Sequence, residues 1–455
     1  MKDRTERPRV LIVGAGFGGL YAAKSLRKAP VEVHIVDQHN YHTFQPLLYQ
    51  VATAGLDISD IAYQVRGIFH RQDNLHFTHG TVVDVDFSAR EVTLEVGKRL
   101  GYDYLILAPG AVYNDFGTPG VKQHAFYLKS VTEAANLRSH ILHQFERASS
   151  RPELVDQGIL NFVIVGAGPT GVEMAGTMVE LFDRVMPKDY PEFDTSRAQV
   201  VMLEMLDRVL PPYGAKSQQY AQQVLARRGV DVRLGATVEE VQAHQVVLKD
   251  DEPIPTRTLI WAAGVRGHPL VDRLDLDLTR GQRVKVGRDL RVAGHPDAFV
   301  VGDLAGASDD EGRLYPQVAP VAIQQGKHAA RQIGRLVGGN DTQPFRYFDK
   351  GSMAIIGRSA GVAELSRTFL GLRLRGFTGW LAWLFIHLIY LPGHRNRFSA
   401  LLSWTYNYFT FDRHARLIAY MQPSPGEIAN RTDALVSPTV TGDPREASRK
   451  VSSTS

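Results

Sequence analysis

One unit occurs twice in this chain of 455 residues, and its recurrence limits the fold more than any other feature. The first copy is Val10-Leu11-Ile12-Val13-Gly14-Ala15-Gly16-Phe17-Gly18-Gly19. The second is Asn161-Phe162-Val163-Ile164-Val165-Gly166-Ala167-Gly168-Pro169-Thr170-Gly171. Each is an apolar strand, a glycine turn, and a helical run (Leu20 to Lys28, then Val172 to Asp183). The first glycine of such a loop makes the tight turn, the second lets backbone approach a pyrophosphate, and the third lets helix and strand pack closely. The helix that follows turns free N–H groups and a positive dipole end toward phosphate. Each copy is completed by a later strand ending in small residues, Tyr104 to Gly110 and Leu259 to Gly264. Gly110 follows Gly14 by 96 residues and Gly264 follows Gly166 by 98, so the two units keep one spacing. The expectation is an α/β protein with two Rossmann-like dinucleotide-binding domains.

Acidic strand ends say what the loops hold. The strand Val31–Asp37 closes on a carboxylate 23 residues past Gly14, near the ~20 expected for a group that accepts from ribose hydroxyls. In the second unit the strand Gln199–Glu204 ends on Glu204, 38 residues past Gly166, the extra length falling in the longer helix and the loop from Pro187 to Asp194. An acid there repels a 2′-phosphate and favours NADH over NADPH, with Arg208 close enough in sequence to blunt the preference. Two dinucleotide sites imply two dinucleotides, and the economical chemistry between them is hydride transfer from a nicotinamide to a flavin. Ala298-Phe299-Val300-Val301-Gly302-Asp303 supports the flavin, because an acid after this strand can hold a ribityl hydroxyl.

The sequence contains no cysteine. That removes disulfides, thiolate metal sites, catalytic thiols and redox-active cysteine pairs, and no metal site is expected. Fifty-two Lys and Arg against 48 Asp and Glu leave a net charge of +4, too balanced to point to nucleic acid. The polar stretch from Met1 to Arg9 lacks the apolar core of a signal peptide, which with the missing disulfides agrees with a cytoplasmic location.

The segments expected are 1–115, 116–289 and 290–345; the family resemblance set out below makes the first and third the two parts of the FAD-binding domain and the second the inserted NADH-binding domain. Residues 346–421 would form a membrane-associating region, and the Ser/Thr/Pro-rich 422–455 a disordered tail. Phe377 to Leu391 is the most apolar run. As a helix it spans ~22 Å, short of the ~30 Å hydrocarbon core. Arg373 and Arg375 precede it, His394, Arg395 and Arg397 follow, and a second aromatic stretch runs from Phe398 to Phe411. Apolar bodies with basic and Trp/Tyr tips suit a helix lying in the interface, with anionic headgroups attracting the arginines.

Taken together the chain resembles the two-dinucleotide-binding-domain flavoproteins. Within them it resembles the type II, non-proton-pumping NADH:quinone oxidoreductases over about residues 8–420. Five segments carry the likeness: Asn40 to Tyr49; Gly166 to Gly176, with Glu173 and Met174; Ala322-Ile323-Gln324-Gln325-Gly326; Asp349 to Gly357; and Leu391-Pro392-Gly393-His394-Arg395-Asn396-Arg397. The resemblance implies that Gly14, Gly16, Gly19, Asp37, Gly110 and Asp303 hold FAD, and that Gly166, Gly168, Gly171, Glu204 and Gly264 hold NADH. It places Glu173 beside nicotinamide and flavin, Gln324 and Gln325 at the quinone end of the pocket, and Lys350 against the isoalloxazine ring. Many members carry Ala-Gln where this chain has Ala319-Pro320, which moves the expected polar quinone contact to Gln324. The expected partners are a membrane quinone (ubiquinone or menaquinone), the bilayer surface and a second copy in a homodimer, and the expected place is the cytoplasmic side of the inner membrane as a peripheral enzyme. The competing readings are an NADH-dependent ferredoxin or rubredoxin reductase, which needs no apolar anchor, and a non-catalytic membrane-associated redox sensor.

Overall fold

The computed structural model describes residues 7–366 and 370–419. The tail expected at 422–455 lies outside the described residues, as does Met421.

β-Branched and leucine-rich strands with no polar face must be covered on both sides, and that is how both units are built. Strand Arg9–Val13 pairs in parallel with Glu32–Asp37 on one side and Tyr104–Leu107 on the other. Leu75–His79 and His295–Val300 extend this sheet outward, and Arg291–Val292 closes its edge to give six strands. The second unit repeats the scheme with five strands, ordered Ala125–Phe126, Thr258–Trp261, Asn161–Val165, Gln199–Glu204 and Asp231–Leu234. Each unit also carries a three-stranded antiparallel sheet that the glycine pattern does not announce. In the first it is Val82–Asp86, Glu91–Leu94 and Arg99–Gly101, and in the second Val238–Gln242, Gln245–Leu248 and Ile254–Pro255.

The chain leaves the first unit and returns to it through one antiparallel ribbon, Ala111–Tyr113 against Val265–Gly267. After the ribbon, Leu270, Val271, Leu274 and Val284 pack among Leu11, Val13 and Leu105. The segment from 270 to 284 therefore packs with the first unit, earlier than the boundary at 289/290 expected from sequence. The long helix Ala319–Val337 lies against the glycine-loop helix Phe17–Ser25, so closely that a Cβ on Gly326 would stand 2.1 Å from the Gly18 carbonyl oxygen.

The C-terminal region opens with a three-stranded antiparallel sheet, Ser352–Ile355, Gly361–Glu364 and Arg373–Gly376. Two helices follow, Phe377–Tyr390 and His394–Thr410. Among the described residues no helix is long and apolar enough to cross a membrane. Helix His394–Thr410 is fastened to the segment 50–62 by polar side chains. Asn396 donates to the Ser59, Asp60 and Ala62 carbonyls, Ser399 to Asp60, Trp404 to Gln50 Oε1 at 2.7 Å, and Asn407 to the Gly55 carbonyl at 2.9 Å.

Candidate active site

Both glycine loops have the same three-part geometry. Gly14 (φ +102°) and Gly166 (φ +103°) take a backbone conformation that a side chain disfavours, and a Cβ on Gly14 would stand 2.3 Å from the Ala108 carbonyl oxygen. Gly19 and Gly171 lie where a Cβ would stand 1.9 Å from the carbonyl oxygens of Gly14 and Gly166. Between them Gly16 and Gly168 meet nothing within 4 Å. The outer glycines are thus required by the turn, whereas the middle ones leave open space at the start of helices Phe17–Ser25 and Pro169–Arg184. A phosphate at either place would meet unobstructed backbone and a helix N-terminus.

The strand-end acids are placed alike as well. Asp37 accepts the Ala15 N–H at 2.6 Å on one carboxylate oxygen and the His39 N–H at 2.6 Å on the other. Glu204 accepts the Ala167 N–H at 2.7 Å and the Leu206 N–H at 2.9 Å. Each acid therefore also braces its glycine loop, a duty not foreseen from spacing alone, and each oxygen keeps a lone pair for a ribose hydroxyl. Gly110 (φ +80°) and Gly264 (φ +65°) turn the chain just past the strands that flank the two loops.

On the flavin side Gly302 (φ +75°) donates its N–H to Gln325 Oε1 at 2.7 Å. Gln325 is fully buried, and its Nε2 donor has no partner among the described residues. A buried amide donor without an acceptor is costly, so this atom suits a ligand or water bearing one. Asp303 faces Lys129 at 3.7 Å, and Gln317 donates to the Asp303 carbonyl at 2.8 Å. The open cradle at Gly16, the buried Gln325 donor and the Asp303 carboxylate at the end of the strand fit FAD, and the second cradle with Glu204 fits NADH.

Gln324 is placed otherwise than its expected contact with quinone. Its amide nitrogen donates to the Phe348 carbonyl at 2.9 Å and its oxygen accepts the Phe348 N–H at 3.0 Å. Both ends are spent on holding the loop that presents Lys350. Lys350 Nζ in turn donates to the Tyr390 hydroxyl at 3.1 Å, at the end of helix Phe377–Tyr390.

Glu173 is where the second unit meets the C-terminal helices. Helix Pro169–Arg184 carries it inward, and it is 8% exposed. Its Oε1 accepts the Trp383 indole N–H at 3.0 Å and the Ile355 N–H at 3.4 Å. Those donors favour the carboxylate, but burial outweighs them and pushes the carboxyl up to about 8. Since Oε1 takes both donors, a proton on the acid resides on Oε2. Trp383 is fully buried and stacks on His387 at 3.8 Å between ring centres. This corrects its expected place among the interfacial tips. His387 Nδ1 donates to the Trp383 carbonyl at 2.7 Å, and burial lowers the imidazole to about 4, so the ring is neutral with Nε2 bare.

Sequence reasoning missed Trp383 and Lys129 as parts of the site. For Trp383 a signal was present. Phe377, Leu381, Phe385 and Ile389 recur at four-residue spacing and are all exposed, and residue 383 falls on the opposite side of a 3.6-residue helix. For Lys129 there was none, because it reaches Asp303 only through the tertiary fold.

Comparison with known proteins identifies the family. Residues 8–326 match the model of the pyridine nucleotide-disulphide oxidoreductases. Two Mycobacterium tuberculosis proteins, the type II NADH:quinone oxidoreductases Ndh and NdhA, are 39% and 40% identical to it. Those alignments cover 90% and 88% of this chain and 89% and 86% of the relatives. The structure of NDH2 from Plasmodium falciparum in complex with NADH superposes with a TM-score of 0.82 at 18% identity, over 91% of this chain and all of that one, which speaks for the fold. With both cradles present and this identity running through nearly the whole chain, the protein belongs to the pyridine nucleotide-disulphide oxidoreductase family and, within it, to the type II NADH:quinone oxidoreductases.

Proposed function

We propose that the protein oxidises NADH and reduces a membrane quinone, taking up one proton from the medium for each quinol formed, and moves no protons across the bilayer. It works as a peripheral enzyme on the cytoplasmic face of the inner membrane and as a homodimer. The observation that carries this reading is one hydrogen bond. Trp383, on the inner side of a helix whose outer side is exposed and apolar, donates to Glu173 on the helix of the second cradle. The face suited to a bilayer and the buried acid of the redox site are thus joined within one side-chain contact.

FAD, when bound, supplies the two-electron relay between nicotinamide and quinone. The chain's own residues bind and position. Gly14, Gly16 and Gly19 open the first helix N-terminus to a pyrophosphate, with Asp37 for the ribose and Asp303 for the ribityl chain. Gly166, Gly168, Gly171 and Glu204 do the same for NADH, with Gly110 leaving open space past its strand and Gly264 turning the chain against the Phe116 ring. Gln325 holds the Gly302–Asp303 turn from below. Glu173 keeps a proton at neutral pH near where quinone needs two, as a general acid should. Lys350 offers a cation to negative charge developing at the quinone end, on a loop that Gln324 holds in place.

Helix Phe377–Tyr390 exposes Phe385 (64%), and helix His394–Thr410 exposes Phe398 (63%) and Phe409 (76%). Exposed apolar side chains of this kind on two neighbouring helices suit an interface with lipid. A lipid-soluble acceptor would reach the flavin from that side.

The test is NADH oxidation by the FAD-loaded protein with and without a soluble quinone analogue. The flavin absorbance is expected to bleach with NADH and return when quinone is added. Bleaching without return would refute quinone as the acceptor.

A further inference from the structure

Lys24 and Lys327 gather at Tyr21, where the glycine-loop helix lies along helix Ala319–Val337, and Arg397 and Lys350 come toward them from the C-terminal region; none of the four has a carboxylate partner among the described residues. Lys24 Nζ lies 5.3 Å and Lys327 Nζ 5.1 Å from the centre of the Tyr21 ring. Arg397 is close enough to act electrostatically on both Lys24 and Tyr21. Its Nε donates to the Leu391 carbonyl at 2.7 Å, which leaves its terminal nitrogens to other partners. Lys350 sits at the edge of the group on the Tyr390 hydroxyl. The nearest carboxylate in sequence, Asp349, turns back to the Gly351 N–H and the Tyr347 hydroxyl. Lys24 is depressed by burial and by the charges of Arg397 and Lys327, as expected where like charges are held together without a counter-ion.

The placement of the group gives it meaning. Arg397 is next to the exposed Phe398, and Tyr390 is next to the exposed Ile389. Arg397 and the Tyr390 partner of Lys350 thus belong to the two helices that carry the exposed apolar residues. Lys24 and Lys327 come from the body of the first unit, far in sequence from the basic residues flanking the helices. Cations that collect beside helices with exposed apolar residues, with two tyrosine hydroxyls among them, match the phosphodiester of a lipid whose tails lie on those residues.

We propose that Lys24, Lys327 and Arg397, around Tyr21 and with Lys350 and Tyr390 at the edge, form a binding site for the phosphate of an anionic phospholipid. The proposal rests on the membrane-surface reading above. It adds that the first unit itself touches headgroups, which would fix the tilt of the molecule on the bilayer as well as its attachment.

The test is co-sedimentation of the full-length, FAD-loaded protein with vesicles of phosphatidylcholine alone and of phosphatidylcholine mixed with phosphatidylglycerol. The variants are Lys24→Gln with Lys327→Gln, and as a matched charge control Lys98→Gln with Lys249→Gln. Neither pair belongs to the redox site, so NADH oxidation with a soluble quinone should stay unchanged in both. Each headgroup-facing cation is worth about fivefold, so the first pair is expected to weaken binding to the mixed vesicles roughly 30-fold. Binding to phosphatidylcholine alone should not change, and the control pair should behave as wild type. Equal losses in both pairs, or none in the first, would overturn the site while leaving membrane attachment intact. Displacement from mixed vesicles by millimolar inorganic phosphate at constant ionic strength would assign the cations to free phosphate and overturn the lipid. Failure to bind either vesicle would overturn the site together with the membrane reading.

Discussion

At the scale of single residues, Glu173 shows how position outweighs type. It looks from sequence like any acid on an amphipathic helix. Burial raises it to about 8 even though two N–H groups favour its charged form. The folded state holds this proton more tightly than the unfolded chain, so the contribution to stability is full below about pH 4.5 and is lost as pH rises through about 8. Glu173→Gln keeps an acceptor for the Trp383 indole and removes the titration. Thermal unfolding measured from pH 6 to 9 is expected to lose part of its slope in this variant, and quinone-dependent turnover to fall by ~100-fold. An unchanged slope would mean that the carboxyl is not the titrating group. Glu173→Ala differs, because it strands the indole N–H in the core at a cost of about 1–3 kcal/mol. The strand-end acids teach the complementary lesson. Spacing located Asp37 and Glu204, but their bracing of Ala15 and Ala167 was not legible, because a carboxylate's second partner depends on how the loop folds back.

At the scale of elements, the glycine loops separate folding from binding. A methyl at Gly19 or Gly171 would lie 1.9 Å from a carbonyl oxygen, whereas one at Gly16 or Gly168 would meet only open space. Gly171→Ala is therefore expected to yield little folded protein. Gly168→Ala should fold with an unchanged melting temperature and retain FAD, yet raise KM for NADH at least tenfold, about 1.4 kcal/mol of lost phosphate contact. Gly16→Ala should likewise fold and lose FAD on gel filtration. If Gly168→Ala and Gly171→Ala lost folded protein alike, the division of roles would be wrong. The helix Phe377–Tyr390 divides in the same way. Phe385→Ser on the outer face should leave stability within ~0.5 kcal/mol and weaken vesicle binding. Trp383→Ser on the inner face should cost about 3–5 kcal/mol, so a double change at Trp380 and Trp383 would confuse unfolding with detachment. Strand, turn and helix were legible here because local pattern specifies them. The antiparallel sheets at Val82–Gly101 and Ser352–Gly376 were not, because pairing between short, weakly alternating strands is decided by partners distant in the chain.

For the whole molecule, the question is how a surface helix keeps a fixed relation to two cofactor cradles. The answer lies in buried polar ties rather than in surface pairs. Arg413 is 8% exposed and donates to the Thr53 carbonyl at 2.8 Å, the Thr177 carbonyl at 3.2 Å and Glu180 at 3.4 Å. Glu180 also holds Arg228 at 2.6 Å and the Arg358 N–H. The Arg358 guanidinium lies over Tyr408 at 3.9 Å and Phe411 at 4.0 Å. The segment after the second C-terminal helix is thereby joined to the helix that carries Glu173 and, through Thr53, to the segment that seats helix His394–Thr410. Removing Arg413 leaves the buried Thr53 and Thr177 carbonyls without this donor, at a cost of about 1–3 kcal/mol, while Glu180 keeps Arg228 as its counter-ion. Arg413→Ala should therefore do more than lower the melting temperature. Hydrogen exchange should quicken across helices Phe377–Tyr390 and His394–Thr410, while the strands Arg9–Val13 and Asn161–Val165 stay protected. NADH should still bleach the flavin at the wild-type rate, with reoxidation by quinone slowed. Should both half-reactions slow equally, with exchange rising evenly across the chain, Arg413 would be an ordinary core residue and the tie proposed between the C-terminal helices and the cradles would fall. The buried tie should also be indifferent to salt, whereas attachment through headgroups weakens as salt rises, so the two can be measured apart in one protein.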